Sequence, residues 1–198
     1  MAAGRAGGIG INQSSPADLM VDNILVSTNV IQESYKNGVT KLLYLGSSCC
    51  YPKFCEQPMN VEDLLSGVLE PTNECYAVAK LAGIKLCQAY NRQYGANFIS
   101  AIPGDVFGPG DDFSPDNSHV VAGLINRTHA AKIAGNEYLE IWGTGTPRRE
   151  FLFVDDLSDA CLFLMEHYDD ISPINIGSGV VLPISELADN IKMVVGYD

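Results

Sequence analysis

Lys41-Leu42-Leu43-Tyr44-Leu45-Gly46-Ser47-Ser48-Cys49 is the stretch that decides the fold. An apolar, β-rich run ending in Gly-Ser-Ser reads as a buried strand that delivers hydroxyls to the carboxyl edge of a sheet. Downstream stands Tyr76-Ala77-Val78-Ala79-Lys80. A Tyr and a Lys four apart share one face of a helix. Lys80 is expected to lower the pKa of Tyr76, normally about 10. A hydroxyl from the Gly-Ser-Ser turn can then hold a carbonyl oxygen while the tyrosine exchanges a proton with it.

Outward from this core, Pro16 to Lys36 reads as a long amphipathic helix, with Ser14 or Ser15 as cap and Asn37-Gly38 as its end. Cys50 to Asn73 is a polar loop with three prolines and a short helix around Val61 to Leu65. Cys75 to Tyr94 is the helix carrying Tyr76 and Lys80, and Asn97 to Ile102 is the next strand. A turn follows at Pro103 to Gly110, then an acidic loop from Asp111 to Ser118. Val120 to Lys132 is predicted helical and Leu139 to Gly143 a short strand. Phe151 to Val154 is strand-like, Asp155 to His167 helical, and Ile174 to Ile176 with Leu182 to Val195 give a last strand and helix. Alternation at this spacing predicts an α/β, Rossmann-type parallel sheet with crossover helices. We read residues 1–198 as a single domain. A small interleaved lobe is expected at approximately 111–150 and 177–198.

Composition narrows the function. The chain has 198 residues, 46% hydrophobic, with mean hydropathy +0.07, enough for one folded domain. Its formal charge of −12 argues against nucleic acid. A nucleotide remains compatible, since it needs only a few local cations. No run approaches the ~18 apolar residues of a membrane span, so no membrane partner is expected. The amino end does not read as a signal peptide. The six cysteines show neither a disulfide framework nor a C-x-x-C pair. The expectation is a reducing cytoplasm and no metal site.

Gly4-Arg5-Ala6-Gly7-Gly8-Ile9-Gly10 satisfies a phosphate-loop spacing literally. Such a cradle needs a strand before it and a helix amino end directly after it. Neither is predicted here, so the glycines read as an ordinary loop. The expected sheet therefore lacks its first strands, as if roughly 60 residues preceded Met1.

Beyond these elements, the chain resembles the GDP-L-fucose synthase family of extended short-chain dehydrogenases/reductases. The resemblance is carried by Leu45 to Lys53, Leu69 to Tyr76 with Lys80, and Tyr90 to Gly95. Asn117-Ser118-His119-Val120 and Trp142 to Phe151 complete it. It implies a partial NAD-dependent epimerase/dehydratase-type domain acting on a nucleotide sugar, GDP-4-keto-6-deoxy-D-mannose, with NADPH/NADP as cofactor. By resemblance Cys49 is the base and His119 the acid of C3/C5 inversion. Tyr76 protonates the alkoxide formed at C4, Ser47 polarises the carbonyl, and Lys80 holds the nicotinamide ribose. Leu45, Gly46, Ser48, Pro103, Gly104, Asp105, Val106 and His119 would border the cofactor. Arg127 and Arg149 are candidates for the diphosphate, and Trp142 for stacking on guanine or sugar. Dimerisation of two copies through the Pro16 and Tyr76 helices is implied too. Asp105 departs from the family's usual Asn, Cys75 from a proline and Cys50 from an aliphatic residue. The rivals are another nucleotide-sugar 4-epimerase or dehydratase of the superfamily, and a non-catalytic truncated scaffold.

Overall fold

The computed structural model describes residues 1–115 and 117–197. Asp116 of the acidic loop and Asp198 of the predicted carboxyl-side lobe segment lie outside them. In chain order the first elements are α1 (Ile9–Ser14), α2 (Pro16–Lys36), β1 (Lys41–Leu45), α3 (Glu74–Tyr94) and β2 (Asn97–Pro103). They continue with β3 (Asp105–Phe107), α4 (Val120–Ala134), β4 (Arg148–Phe153) and α5 (Val154–His167). β5 (Ile174–Ile176), β6 (Val181–Pro183) and α6 (Ile184–Val195) complete the described chain.

β1 buries three successive residues, Leu42, Leu43 and Tyr44, because both faces of its sheet are covered. The sheet runs β1-β2-β5 and is parallel throughout, with Lys41 opposite Asn97 and Leu45 opposite Ala101. On one face Leu42, Tyr44, Phe98 and Ile102 pack with Ile31 of α2 and Leu81, Ile84 and Cys87 of α3. On the other, Leu43, Ile99 and Ala101 meet Leu164 of α5. The period-2 alternation along β1 and β2 thus sorts side chains between two helical layers. The predicted α/β class with parallel strands and crossover helices is the observed one.

A second sheet, β3-β4-β6, pairs β3 parallel and β6 antiparallel to β4. Above it Val121 and Leu124 of α4 pack with Leu187, Ala188 and Ile191 of α6. Phe107, Ile141, Phe151 and Leu182 join this separate apolar cluster.

Several boundaries differ from the sequence expectations. Leu139 to Gly143 is not a strand. Gly143 and Gly145 take positive φ of 75° and 72°, which bends the chain where a ladder needs extension. The strand at this edge is β4, beginning at Arg148. Val106 lies in β3 rather than in a turn. Residues Ile9–Ser14 form a short helix within the predicted loop, tied by the Asn12 side chain donating to the Gly7 and Gly8 carbonyls. Ser15 occupies the cap position of α2 without a side-chain bond.

Tyr44 is 1% exposed and its hydroxyl pairs with Ser27 Oγ at 3.1 Å. Gly83 of α3 faces it so closely that a methyl there would overlap the ring and stand 2.7 Å from Cε1. Gly83→Ala is therefore expected to lower stability by about 2 kcal/mol, overpacking exceeding the gain in helix propensity. Urea denaturation measures this; a more stable variant would contradict the packing described.

Candidate active site

The Gly-Ser-Ser turn leaves β1 at the carboxyl edge of the parallel sheet, where such sheets place their ligands. Gly46 keeps the turn against the sheet, its N–H donating to the Ala101 carbonyl at 2.8 Å. A Cβ there would stand 2.9 Å from Ile84 Cδ1. Ser47 caps the single helical turn Ser48–Cys50, its hydroxyl accepting from the Cys49 N–H at 3.3 Å. Cys49 is thereby held beside Ser47, while Cys50 turns into the core and is fully buried.

From the other side α3 brings Tyr76 and Lys80. The Lys80 ammonium donates to the Leu45 carbonyl at 3.1 Å and lies 5.5 Å from the Tyr44 ring and 5.8 Å from the Tyr76 ring. Asn73, at the amino end of α3, donates through Nδ2 to Cys49 Sγ at 3.1 Å. An Asn in that position ordinarily caps its helix, and this one makes no capping bond. Its Oδ1 is buried without a partner. Sequence reasoning left Asn73 out of the site. Its polar identity three residues before Tyr76 was the available signal, and it pointed equally well to an ordinary cap.

Burial governs the electrostatics. It pushes Tyr76 upward, reinforced by the Cys49 and Cys50 thiols and opposed by the Ser47 hydroxyl. It lowers Lys80. The expectation that Lys80 draws Tyr76 down is thus corrected: desolvation dominates, and the charge of Lys80 is itself disfavoured by the same burial. Cys49 is also raised by burial, with Ser47 and Arg149 lowering it and Asp105 raising it further.

The remaining candidates fall in two groups. Asp105 accepts from Ser48 Oγ at 3.4 Å and its Oδ2 lies 3.9 Å from Arg149 Nε. Gly104 donates to the Ile176 carbonyl at 2.9 Å, so Pro103 to Val106 borders the same edge. His119 is exposed just before α4, and an imidazolium there would favour the ionised form of Asp105. Arg127 and Trp142 form a pair of their own, guanidinium to ring centroid 4.7 Å, with Trp142 63% exposed. Arg127 Nε donates to the Gly123 carbonyl at 3.2 Å, while Nη1 is buried without a partner.

The glycine stretch forms no cradle among the described residues. Gly8 donates to the Asn117 carbonyl at 3.0 Å, and a Cβ on Gly7 would strike Ile11. The loop reading of Gly4 to Gly8 stands; Ile9 and Gly10 belong to α1. Its packing supports the Asn117-Ser118-His119 segment instead.

The sequence profile of the NAD dependent epimerase/dehydratase family matches residues 1–177. The chain is 55% identical over 197 residues to a GDP-L-fucose synthase of Sinorhizobium fredii, covering 100% of this chain and 63% of that protein. It is 52% identical to GDP-L-fucose synthase 1 of Arabidopsis thaliana over 198 residues, covering 61% of it. Among solved structures it is similar to a GDP-mannoheptose C4 reductase from Campylobacter jejuni with NADP bound. That match has TM-score 0.89 and 32% identity, covering 100% of this chain and 69% of that one. The chain thus spans less than two-thirds of the length of the two synthases.

A methyl on Gly8 would stand 2.5 Å from the Ser118 carbonyl oxygen and 3.3 Å from that of Asn117. Gly8→Ala is expected to displace the loop and shift the His119 imidazole signals in NMR, leaving those of His129 and His167 in place. An unmoved His119 would show that the contact does not position the loop.

Proposed function

The chain belongs to the NAD dependent epimerase/dehydratase family, and on that premise we propose that it serves the conversion of GDP-4-keto-6-deoxy-D-mannose to GDP-L-fucose. The observation that carries this reading is the convergence of Ser47, Cys49, Tyr76 and Lys80 on one sheet edge, with Asn73 on the Cys49 sulfur. A tyrosine and a serine are the protein groups that reduction of a keto group by a bound hydride donor calls for. A thiol beside them is the additional group that inversion of the neighbouring carbons requires.

The 4-keto group acidifies the protons on C3 and C5. Cys49, as thiolate, takes a proton from one face and His119 returns one to the other. Burial makes that thiolate scarcer and more basic. Ser47 hydrogen-bonds the C4 oxygen, and Tyr76 gives it a proton; the upward push on Tyr76 keeps the phenol protonated until then. Asn73 orients the Cys49 sulfur.

NADPH, when bound, supplies the hydride to C4. The nicotinamide end fits the residues present: Lys80 spends one of its three N–H groups on Leu45, leaving two for ribose hydroxyls. Ser47, Ser48, Leu45, Gly46, the Pro103 to Val106 segment and His119 would border the ring. Arg149 and Arg127 are proposed for the substrate diphosphate, Arg127 offering its unpartnered Nη1, with Trp142 beside it for the base or sugar. Segments 111–150 and 177–198 are proposed as the substrate lobe, supported by the separate apolar cluster of α4 and α6.

A second copy is proposed against α2 and α3, where Val21 and Leu25 are each 53% exposed. Six free cysteines are consistent with a reducing, cytoplasmic setting. No helix among the described residues is long and apolar enough to cross a membrane.

Cys49→Ser is expected to slow C3/C5 epimerisation about 100-fold or more while leaving NADPH binding intact. Tyr76→Phe should depress hydride transfer by a similar factor. Product analysis by NMR with a cofactor fluorescence titration reads both. Full C3/C5 epimerisation by Cys49→Ser would overturn the base role of Cys49, and a 4-epimerase or dehydratase activity that survives Cys49→Ser would favour that rival instead.

A further inference from the structure

Asp105 is an ionisable carboxyl set between the Ser48 hydroxyl, on its Oδ1, and the Arg149 guanidinium, facing its Oδ2. The two oxygens face different partners. Its side chain remains 39% exposed, so solvent screens it only in part. Arg149 is steadied from its other end, Nη1 donating to the Arg148 carbonyl at 2.8 Å.

We propose that Asp105 is a positioning residue: paired with Arg149 and with Ser48, the neighbour of Cys49 in the Ser48–Cys50 turn, it offsets the guanidinium's charge beside that turn and so controls the reactivity of Cys49. The inference rests on the reading of Cys49 as the proton-transfer group and extends it to what controls that group.

The charged and titratable groups around this centre come from every side. The Ser47–Cys50 turn contributes the two thiols, α3 contributes Tyr76, β4 contributes Arg149, and His119 stands ahead of α4. Glu150 belongs elsewhere; its Oε1 accepts from the Gly179 N–H at 2.6 Å. Of these groups Arg149 favours a Cys49 thiolate and Asp105 opposes it. An amide at position 105 would keep the bond to Ser48 but leave the guanidinium uncompensated. Cys49 would then ionise more easily and be a weaker base. With the carboxylate present, the sulfur stays protonated longer as pH rises, and its thiolate is the stronger base once formed.

The test is the pH dependence of iodoacetamide alkylation of the whole chain, read at Cys49 by peptide mass spectrometry. Cys161, packed on the opposite face of the sheet, serves as the internal reference for an intact fold. Asp105→Asn is expected to move the Cys49 profile to lower pH, with alkylation near neutrality several-fold faster. Arg149→Gln should move it up and slow the reaction. Cys161 should be unchanged in both. Coincident Cys49 profiles for wild type and Asp105→Asn, with Cys161 unchanged, overturn the proposal. If Asp105→Asn also exposes Cys161, the Arg149→Gln arm decides: an upward shift supports the tuning, and a downward one overturns it. Should Cys49→Ser keep full epimerisation while these shifts appear, the tuning stands and the base role of Cys49 falls.

Discussion

The bond from the Lys80 ammonium to the Leu45 carbonyl, 3.1 Å long, ties the middle of α3 to the end of β1. The proposed site is built around that junction. It fixes the rotation of the helix on the sheet, and one turn earlier on the same face stands Tyr76. The contact is possible because Gly83 lets α3 settle on the Tyr44 ring, whose hydroxyl is satisfied by Ser27 of α2. A buried phenol, a glycine and a serine thus set the distance at which the site is assembled.

The same burial then shapes the chemistry. Taking Tyr76, Cys49 and Asp105 out of water raises all three, and it lowers Lys80. Each shift favours the neutral form, as desolvation requires. On the proposed reading, such a site holds its protons until a substrate oxygen or carbon presents a better partner. Neighbours modulate this: the Ser47 hydroxyl opposes the rise of both Tyr76 and Cys49, while the charges of Arg149 and Asp105 act on Cys49 with opposite signs.

The parallel sheet and its crossover helices were legible in the sequence. β1 is a run of buried residues, and α3 has a clear start and a Gly95 end with φ of 67°. The pairing of Tyr76, Lys80 and Ser47 was legible for the same reason, since it needs only helix spacing and a strand end. The short elements were not. Residues Leu139 to Gly143 carry strand-type residues, yet the glycines at 143 and 145 curl the chain and move the strand to Arg148. α1 depends on the Asn12 side chain and on a contact with Asn117 across a hundred residues of sequence. The direction of the Tyr76 shift and the role of Asn73 followed from burial and from a distant sulfur, and neither leaves a local pattern.

The central claim is that Cys49 and its neighbours exchange protons at the carbons flanking a keto group. Incubating the chain with GDP-4-keto-6-deoxy-D-mannose in deuterium oxide, with no NADPH added, tests it most directly. The account predicts deuterium at both C3 and C5, detected by NMR and mass spectrometry. A sugar recovered without deuterium at either carbon would contradict it.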